Sequence, residues 1–368
     1  MPSTVSAEGP PADPPELLLR DFEPRPQLVV STTHPDKPRF PVIDAHNHLG
    51  ETFGGGWIHQ PVAELLDILD RAGVRLLVDL DGGWGESILE EHLDHFKAAS
   101  PDRFLHFGGV DWGQWPEQGS GFADWAAGRV REQARRGAQG LKIWKGLGLQ
   151  VRDHKDQLVA VDDQRLDPIW AAATEIGLPV LIHVADPVAF FDPLDACNER
   201  WEELRAHPDW HFPSPPFPPF LSIVEAFKRL VLRHPGTTFI GAHVGCYAEN
   251  LNWVSDLLDQ APNLYVDIAA RMAELGRQPY SARRFFLRHA DHILFGTDLP
   301  AAVSCYRVHY RFLETADEYF AYDPVGAATQ GRWQIYGLSL PDDVLEKVYH
   351  LNAEAVLLGR SRSGSAAL

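Results

Sequence analysis

Eight short apolar runs, each followed by an amphipathic stretch, constrain this chain more than any other feature. The runs lie at 42–48, 74–80, 103–110, 139–144, 178–184, 237–243, 263–268 and 292–298 and are rich in Val, Ile, Leu and Phe. Helical periodicity fills the intervals, at 61–72, up to about 99, to Arg136, and at 168–176, 221–233, 249–260, 281–289 and 341–358. Strands that alternate with helices pair in parallel and are buried on both faces, which is why they read as near-continuous apolar runs. Eight such units in about 320 residues, with no repeated sequence, predict a closed (β/α)8 TIM barrel rather than an open doubly wound sheet.

The barrel is expected over residues 41–358. Residues 1–40 are rich in Pro and lack periodicity, so they are expected to form an arm without a core of its own. Residues 359–368 are expected to fray. Two long insertions, at about 185–220 and 299–340, follow the fifth and eighth strands and are expected to roof the carboxyl face of the barrel.

Charge narrows the range of partners. Lys and Arg number 33 against 51 Asp and Glu, a formal charge of −18, which repels phosphate backbones and anionic lipid. No apolar run approaches the roughly 20 residues of a membrane span, and no basic-then-apolar leader opens the chain. Cys197, Cys246 and Cys305 are scattered without a C-x-x-C pair, which suits a reducing compartment. These features predict a soluble cytoplasmic protein with a small-molecule substrate and neither nucleic-acid nor membrane partners. A symmetric homodimer is the one protein assembly considered, because such dimers are common.

The chemistry is concentrated at strand ends. The run Val42-Ile43-Asp44-Ala45-His46-Asn47-His48 closes on an H-x-H pair. In a regular strand Asp44, His46 and His48 would share one face. Two imidazoles there can hold a divalent ion, about 2.0–2.1 Å from each nitrogen for zinc. Taken singly, a histidine is more often a hydrogen-bonded structural residue. Lys142, His183, His243 and Asp298, however, end four further strands, and all strand ends of such a barrel converge on one face. A shared metal site follows from that joint register. Gly241 and Gly296, each two residues before a candidate, are expected to leave room for a metal-bound guest.

With those residues in view, the chain resembles the amidohydrolase superfamily. The resemblance rests on Asp44-Ala45-His46-Asn47-His48, the lone strand-end histidines and Gly296-Thr297-Asp298. The segments Phe239–Gly245 and Val348–Glu354 are similar to the amidohydrolase-related branch that includes aminocarboxymuconate semialdehyde decarboxylase. The resemblance covers 41–358 and implies that His46, His48, His183 and Asp298 bind a divalent metal, zinc in the first place, with manganese as the other candidate. It makes His243 the proton-transfer or substrate-polarising residue, and Asp298 both ligand and base.

Lys142 carries two readings. Gly140–Trp144 is similar to the segment of superfamily members whose carboxylated lysine bridges two metals, with His183 and His243 on the second ion. An uncarboxylated lysine that points inward and pairs with Asp298 or a substrate carboxylate, in a site with one metal, is the plainer alternative and the one preferred. Lys145, of opposite parity, is expected to face outward or into the loop. Trp57, Trp112 and Trp144 are expected to wall the pocket. Arg271 and Arg277 are expected to hold a substrate carboxylate, Asp267 to serve as a buried hydrogen-bonding residue, and Asp44 to support the ligands. Two reactions compete. The first is hydrolysis of a small amide, lactone or ester by metal-activated water; the second is non-oxidative decarboxylation of a small carboxylic acid on the same metal. A metal-binding protein without activity is the third class.

Overall fold

The computed structural model of the chain describes residues 16–22, 24–51, 53, 55–323 and 329–360. Residues 1–15 of the expected arm and 361–368 of the expected tail lie outside that set. Eight strands form the sheet: β1 Val42–Asn47, β2 Val74–Asp79, β3 Phe104–Gly108, β4 Gly140–Ile143, β5 Val180–Ile182, β6 Phe239–Gly241, β7 Leu264–Asp267 and β8 Ile293–Leu294. Each pairs in parallel with the next in sequence order. The ring closes between β8 and β1, where Ala45 N donates to Phe295 O at 2.9 Å and Thr297 and Asp298 N both donate to His46 O, at 3.3 and 2.8 Å.

Alternation along the strands builds two apolar layers. Ile43, Leu76, Val78, Leu105, Leu181, Ile240 and Leu294 form a cluster drawn almost wholly from strands, which fills the barrel. Val42, Leu77, Phe104, Leu141, Val180 and Phe239 belong to the larger cluster shared with the helices. The helix Val62–Ala72 shows the rule in small: Leu65, Leu69 and Ala72 are buried, and the turn ends at Gly73, whose φ of 78° suits a residue without Cβ. Residues 33–39 are tied to the outer layer, with Thr33 bonded to Asp317 and Arg39 to Glu314 and Asp342.

Two expectations change here. The stretch 299–340 is not a roof throughout, because it contains the helix Val303–Glu314. Tyr306 and Tyr310, one turn apart, send their hydroxyls to Asp44 at 2.9 Å and to Ala72 O at 2.8 Å, so this helix belongs to the outer layer. Nor does β1 alternate regularly. Its register shifts between Asp44 and Asn47. Asp44 therefore faces the helix layer, accepting from Asn47 Nδ2, Thr297 Oγ1 and Tyr306 Oη, while His46 and His48 face the cavity at the other side. Asp44 welds β1 to the end of β8 without facing the histidines' cavity.

Candidate metal centre

The ends of β1, β4, β5, β6 and β8 line one cavity of about 610 Å³ at the carboxyl face. At its floor His48 Nε2 lies 3.3 Å from Asp298 Oδ1, and His46 Nε2 lies 3.9 Å from the same oxygen. His243 Nε2 lies 3.8 Å from Asp298 Oδ2. Three buried imidazoles thus turn their Nε2 atoms toward one carboxylate. Their other nitrogens explain why: His46 Nδ1 is held by Asp267 at 2.9 Å, His48 Nδ1 by Asp81 at 2.7 Å and His243 Nδ1 by Ala269 O at 2.8 Å. An acceptor on Nδ1 keeps a proton there and turns Nε2 toward the cavity as the atom a metal would take, the arrangement of carboxylate- or carbonyl-backed metal ligands. Ligand atoms of His46, His48 and Asp298 all lie within 4.8 Å of one another. The donor set of imidazole nitrogens and one carboxylate suits zinc or manganese.

His183 takes a different place. Its ring stands 4.4 Å from that of His243, and its Nε2 lies 3.3 Å from Asp186 Oδ1 without hydrogen-bond alignment. It is outside the tight group of His46, His48 and Asp298. Lys142 rises between the two halves, with Nζ 3.4 Å from His46 Nε2 and 4.5 Å from the centre of the Trp144 ring. Burial lowers the Lys142 ammonium to about 8, against the pull of Asp298 and Asp267. Burial also lowers His183, to about 4, despite Asp186. Burial alone would raise the Asp298 carboxyl, but His46, His48 and His243 hold it well below the usual carboxylate range. For His48 burial again opposes the charged form, yet the bonds to Asp298 and Asp81 override it and raise the imidazole to about 9.

The backbone is strained where these groups are delivered. His243, Val244, Gly245 and Cys246 occupy consecutive left-handed conformations, and Ala270 and Asp298 are left-handed as well. Such conformations persist in L-residues only where surrounding contacts over-determine them, and they gather at functional sites. Here Asp267 Oδ1 accepts from His243 N at 2.8 Å and from Ala269 N at 3.1 Å. One carboxylate thus holds the ring of His46 and the turn that carries His243.

The walls differ in part from expectation. Trp144 and Trp112 line the cavity, but Trp57 does not and is buried in the larger apolar cluster. Trp144 is stacked on both sides, against Trp84 at 3.8 Å and His48 at 5.3 Å, so it braces the ligand ring. Lys145, expected to face outward or belong to the loop, lies in the loop after β4, where strand parity has ended, and there lines the cavity and pairs with Asp186. Arg277 points away and grips Glu199 with two bonds of 2.8 and 2.9 Å. Arg271 lines the cavity, is 5% exposed, and among the described residues its side chain hydrogen-bonds only to Ala270 O at 2.9 Å. Gly296 leaves room for His46 itself, since a Cβ there would stand 2.9 Å from His46 Cβ; Gly241 faces Gly245 and Phe227. Asp81, Phe53 and Trp84 were not among the sequence candidates. The signal for Asp81 was present, as an acid directly after β2 in Asp81-Gly82-Gly83.

Solved structures share this architecture. The 2,6-dihydroxybenzoate decarboxylase from Rhizobium matches with 16% identity over 87% of this chain and 99% of its own, at a TM-score of 0.51. A dihydroxybenzoic acid decarboxylase from Polaromonas sp. JS666, with bound manganese and the inhibitor 2-nitroresorcinol, matches with 16% identity over 89% and 100%, at 0.51. The 5-carboxyvanillate decarboxylase from Novosphingobium aromaticivorans DSM 12444, complexed with manganese, matches with 17% identity over 89% and 100%, also at 0.51. At such identities the likeness is one of fold. No curated protein matches the sequence. The family profile described as Amidohydrolase matches residues 43–358, the whole barrel with its strand-end histidines and Asp298, and the chain belongs to the amidohydrolase family.

Proposed function

We propose that the protein is a metal-dependent decarboxylase of a small carboxylic acid. One observation carries this choice over hydrolysis. The cavity that holds the imidazoles and Asp298 also holds Arg271, a buried cation without an ion pair among the described residues, although Glu203 of the same cavity feels its charge. A buried guanidinium with free donors is completed by an anionic ligand, and a carboxylate fits its fork. The decarboxylases of like fold, two with bound manganese, support the same reaction class.

In decarboxylation the bond to the carboxyl carbon breaks, CO2 departs, the electron pair stays on the substrate carbon, and one proton takes the vacated place. His46, His48 and Asp298 would hold a divalent ion, which would supply positive charge to stabilise that electron pair. Arg271 orients the acid. His243 is kept neutral, since burial, His183 and Arg271 all lower it, and its Nδ1 is committed to Ala269 O. Its Nε2 is therefore free to relay one proton, taken from solvent, to that carbon. Trp84 and Trp144 form an apolar wall on the His48 side of the cavity.

The test is a panel of small acids scored for CO2 beside a panel of amides, lactones and esters scored for hydrolysis, with protein before and after chelation. Expected is CO2 release that chelation abolishes and Mn2+ or Zn2+ restores. Hydrolysis without CO2 release overturns the proposal in favour of water chemistry.

The ring of His183, 4.4 Å from that of His243, together with Lys142 against His46, favours a second reading of the metal count. Two cations would share Lys142 as its carbamate. Native mass spectrometry reads this directly, as the added mass of one CO2 on Lys142 and two ions per chain.

A further inference from the structure

Outside the cavity, on the helix side of the sheet, a fully buried carboxylate gathers two more histidines. Asp79 ends β2; its Oδ2 receives His92 Nδ1 at 2.7 Å from the helix Glu86–His92 and His106 Nδ1 at 2.9 Å from β3. Its Oδ1 accepts the backbone N–H of Asp81 at 3.2 Å. The side chain of Asp81 in turn holds His48 Nδ1 at 2.7 Å and the N–H groups of Leu49 and Gly50 at 2.9 and 2.6 Å. All three members of the outer group are buried. A cation between them would sit about 2.0–2.1 Å from each nitrogen and oxygen and force those atoms beyond hydrogen-bond spacing. At 2.7 and 2.9 Å the imidazoles donate protons.

We propose that Asp79, fixed by His92 and His106, is a positioning residue that sets Asp81 and through it the ring of His48. Partners hydrogen-bonded directly to a ligand are typically worth about 10–100-fold in metal affinity; Asp81 is such a partner of His48, and Asp79 acts one step further out, through Asp81. The inference rests on His48 being a ligand, as in the proposed function, and on no particular reaction.

The test is titration of the metal-free full chain with Mn2+ and with Zn2+ by calorimetry, beside thermal unfolding of each variant. Asp79→Asn is expected to bind about tenfold more weakly while folded. His92→Gln, whose amide can still donate to Asp79, is expected to retain most of the affinity. A merely structural group would lower Tm and leave affinity unchanged in the folded protein; that result overturns the proposal. Should Asp79→Asn not fold, His92→Leu serves, with at least threefold weaker binding expected and unchanged affinity overturning the idea. A second ion in the wild type that His92→Leu removes would also overturn it, since the outer group would then be a metal site. If the wild type binds no cation, the metal reading itself fails; if it binds and the variants match it, only the positioning role fails.

Discussion

The left-handed turn that delivers His243 makes a prediction whose sign is unusual. Val244 has φ 59° and ψ 45°, and it is fully buried. A β-branched residue in this region is a genuine outlier, and the left-handed conformation costs roughly 1–2 kcal/mol per L-residue. Val244→Ala removes the packing methyls and keeps the Cβ that creates the strain. Val244→Gly removes both. At an ordinary helical site glycine is the worse of the two by about 1 kcal/mol. At Val244 the released strain outweighs the added freedom of the unfolded chain, which is about 0.4–1 kcal/mol. Glycine is therefore expected to be the more stable variant, by about 0.5–1 kcal/mol. Both fall below the wild type, by roughly 2 kcal/mol for the lost methyls. Urea unfolding midpoints of the three proteins, with equal m-values, measure the difference. An alanine variant more stable than the glycine variant would falsify the claim that Val244 is strained.

Other outcomes follow from the same geometry. Proton and metal compete for His48 Nε2, and the metal-free imidazole is raised to about 9, so affinity for Mn2+ should climb from pH 6 and level off above about pH 9, as proton release on binding falls toward zero; a flat profile contradicts this. Without metal the sign reverses. The folded value lies above the ordinary 6.5, so the stabilisation is complete below about pH 6.5 and lost as pH rises through about 9, a trend seen in denaturant titrations of the metal-free chain. Arg271→Gln should lose about 1.5–3 kcal/mol of interaction with a carboxylate substrate, a roughly tenfold to hundredfold rise in KM, with metal affinity retained. Gly296→Ala should displace His46, because the new Cβ would stand 2.9 Å from His46 Cβ; metal affinity should drop together with Tm, and wild-type affinity would contradict that clash.

What the sequence determined by itself was the order and class of the elements and the chemical identity of the strand ends. Both are local. A run such as Val180–Ile182 is apolar because both its faces are covered, and His48, His183, His243 and Asp298 are legible because each polar group follows such a run. The helix Val303–Glu314 escaped because Arg307, His309 and Arg311 interrupt its apolar pattern, while its anchors Tyr306 and Tyr310 reveal themselves only through Asp44 and Ala72. Tertiary structure alone decided orientation. Two N–H groups of the β8 end converge on His46 O, and β1 shifts register against β2 between Asp44 and Asn47. The shift turns Asp44 away while His46 and His48 face inward, which strict alternation would forbid. Likewise no spacing in the chain tells that Asp267 holds His46 Nδ1 or that His183 stands beside His243. Such pairings depend on distances between strand ends far apart in sequence, which exist only once the ring has closed.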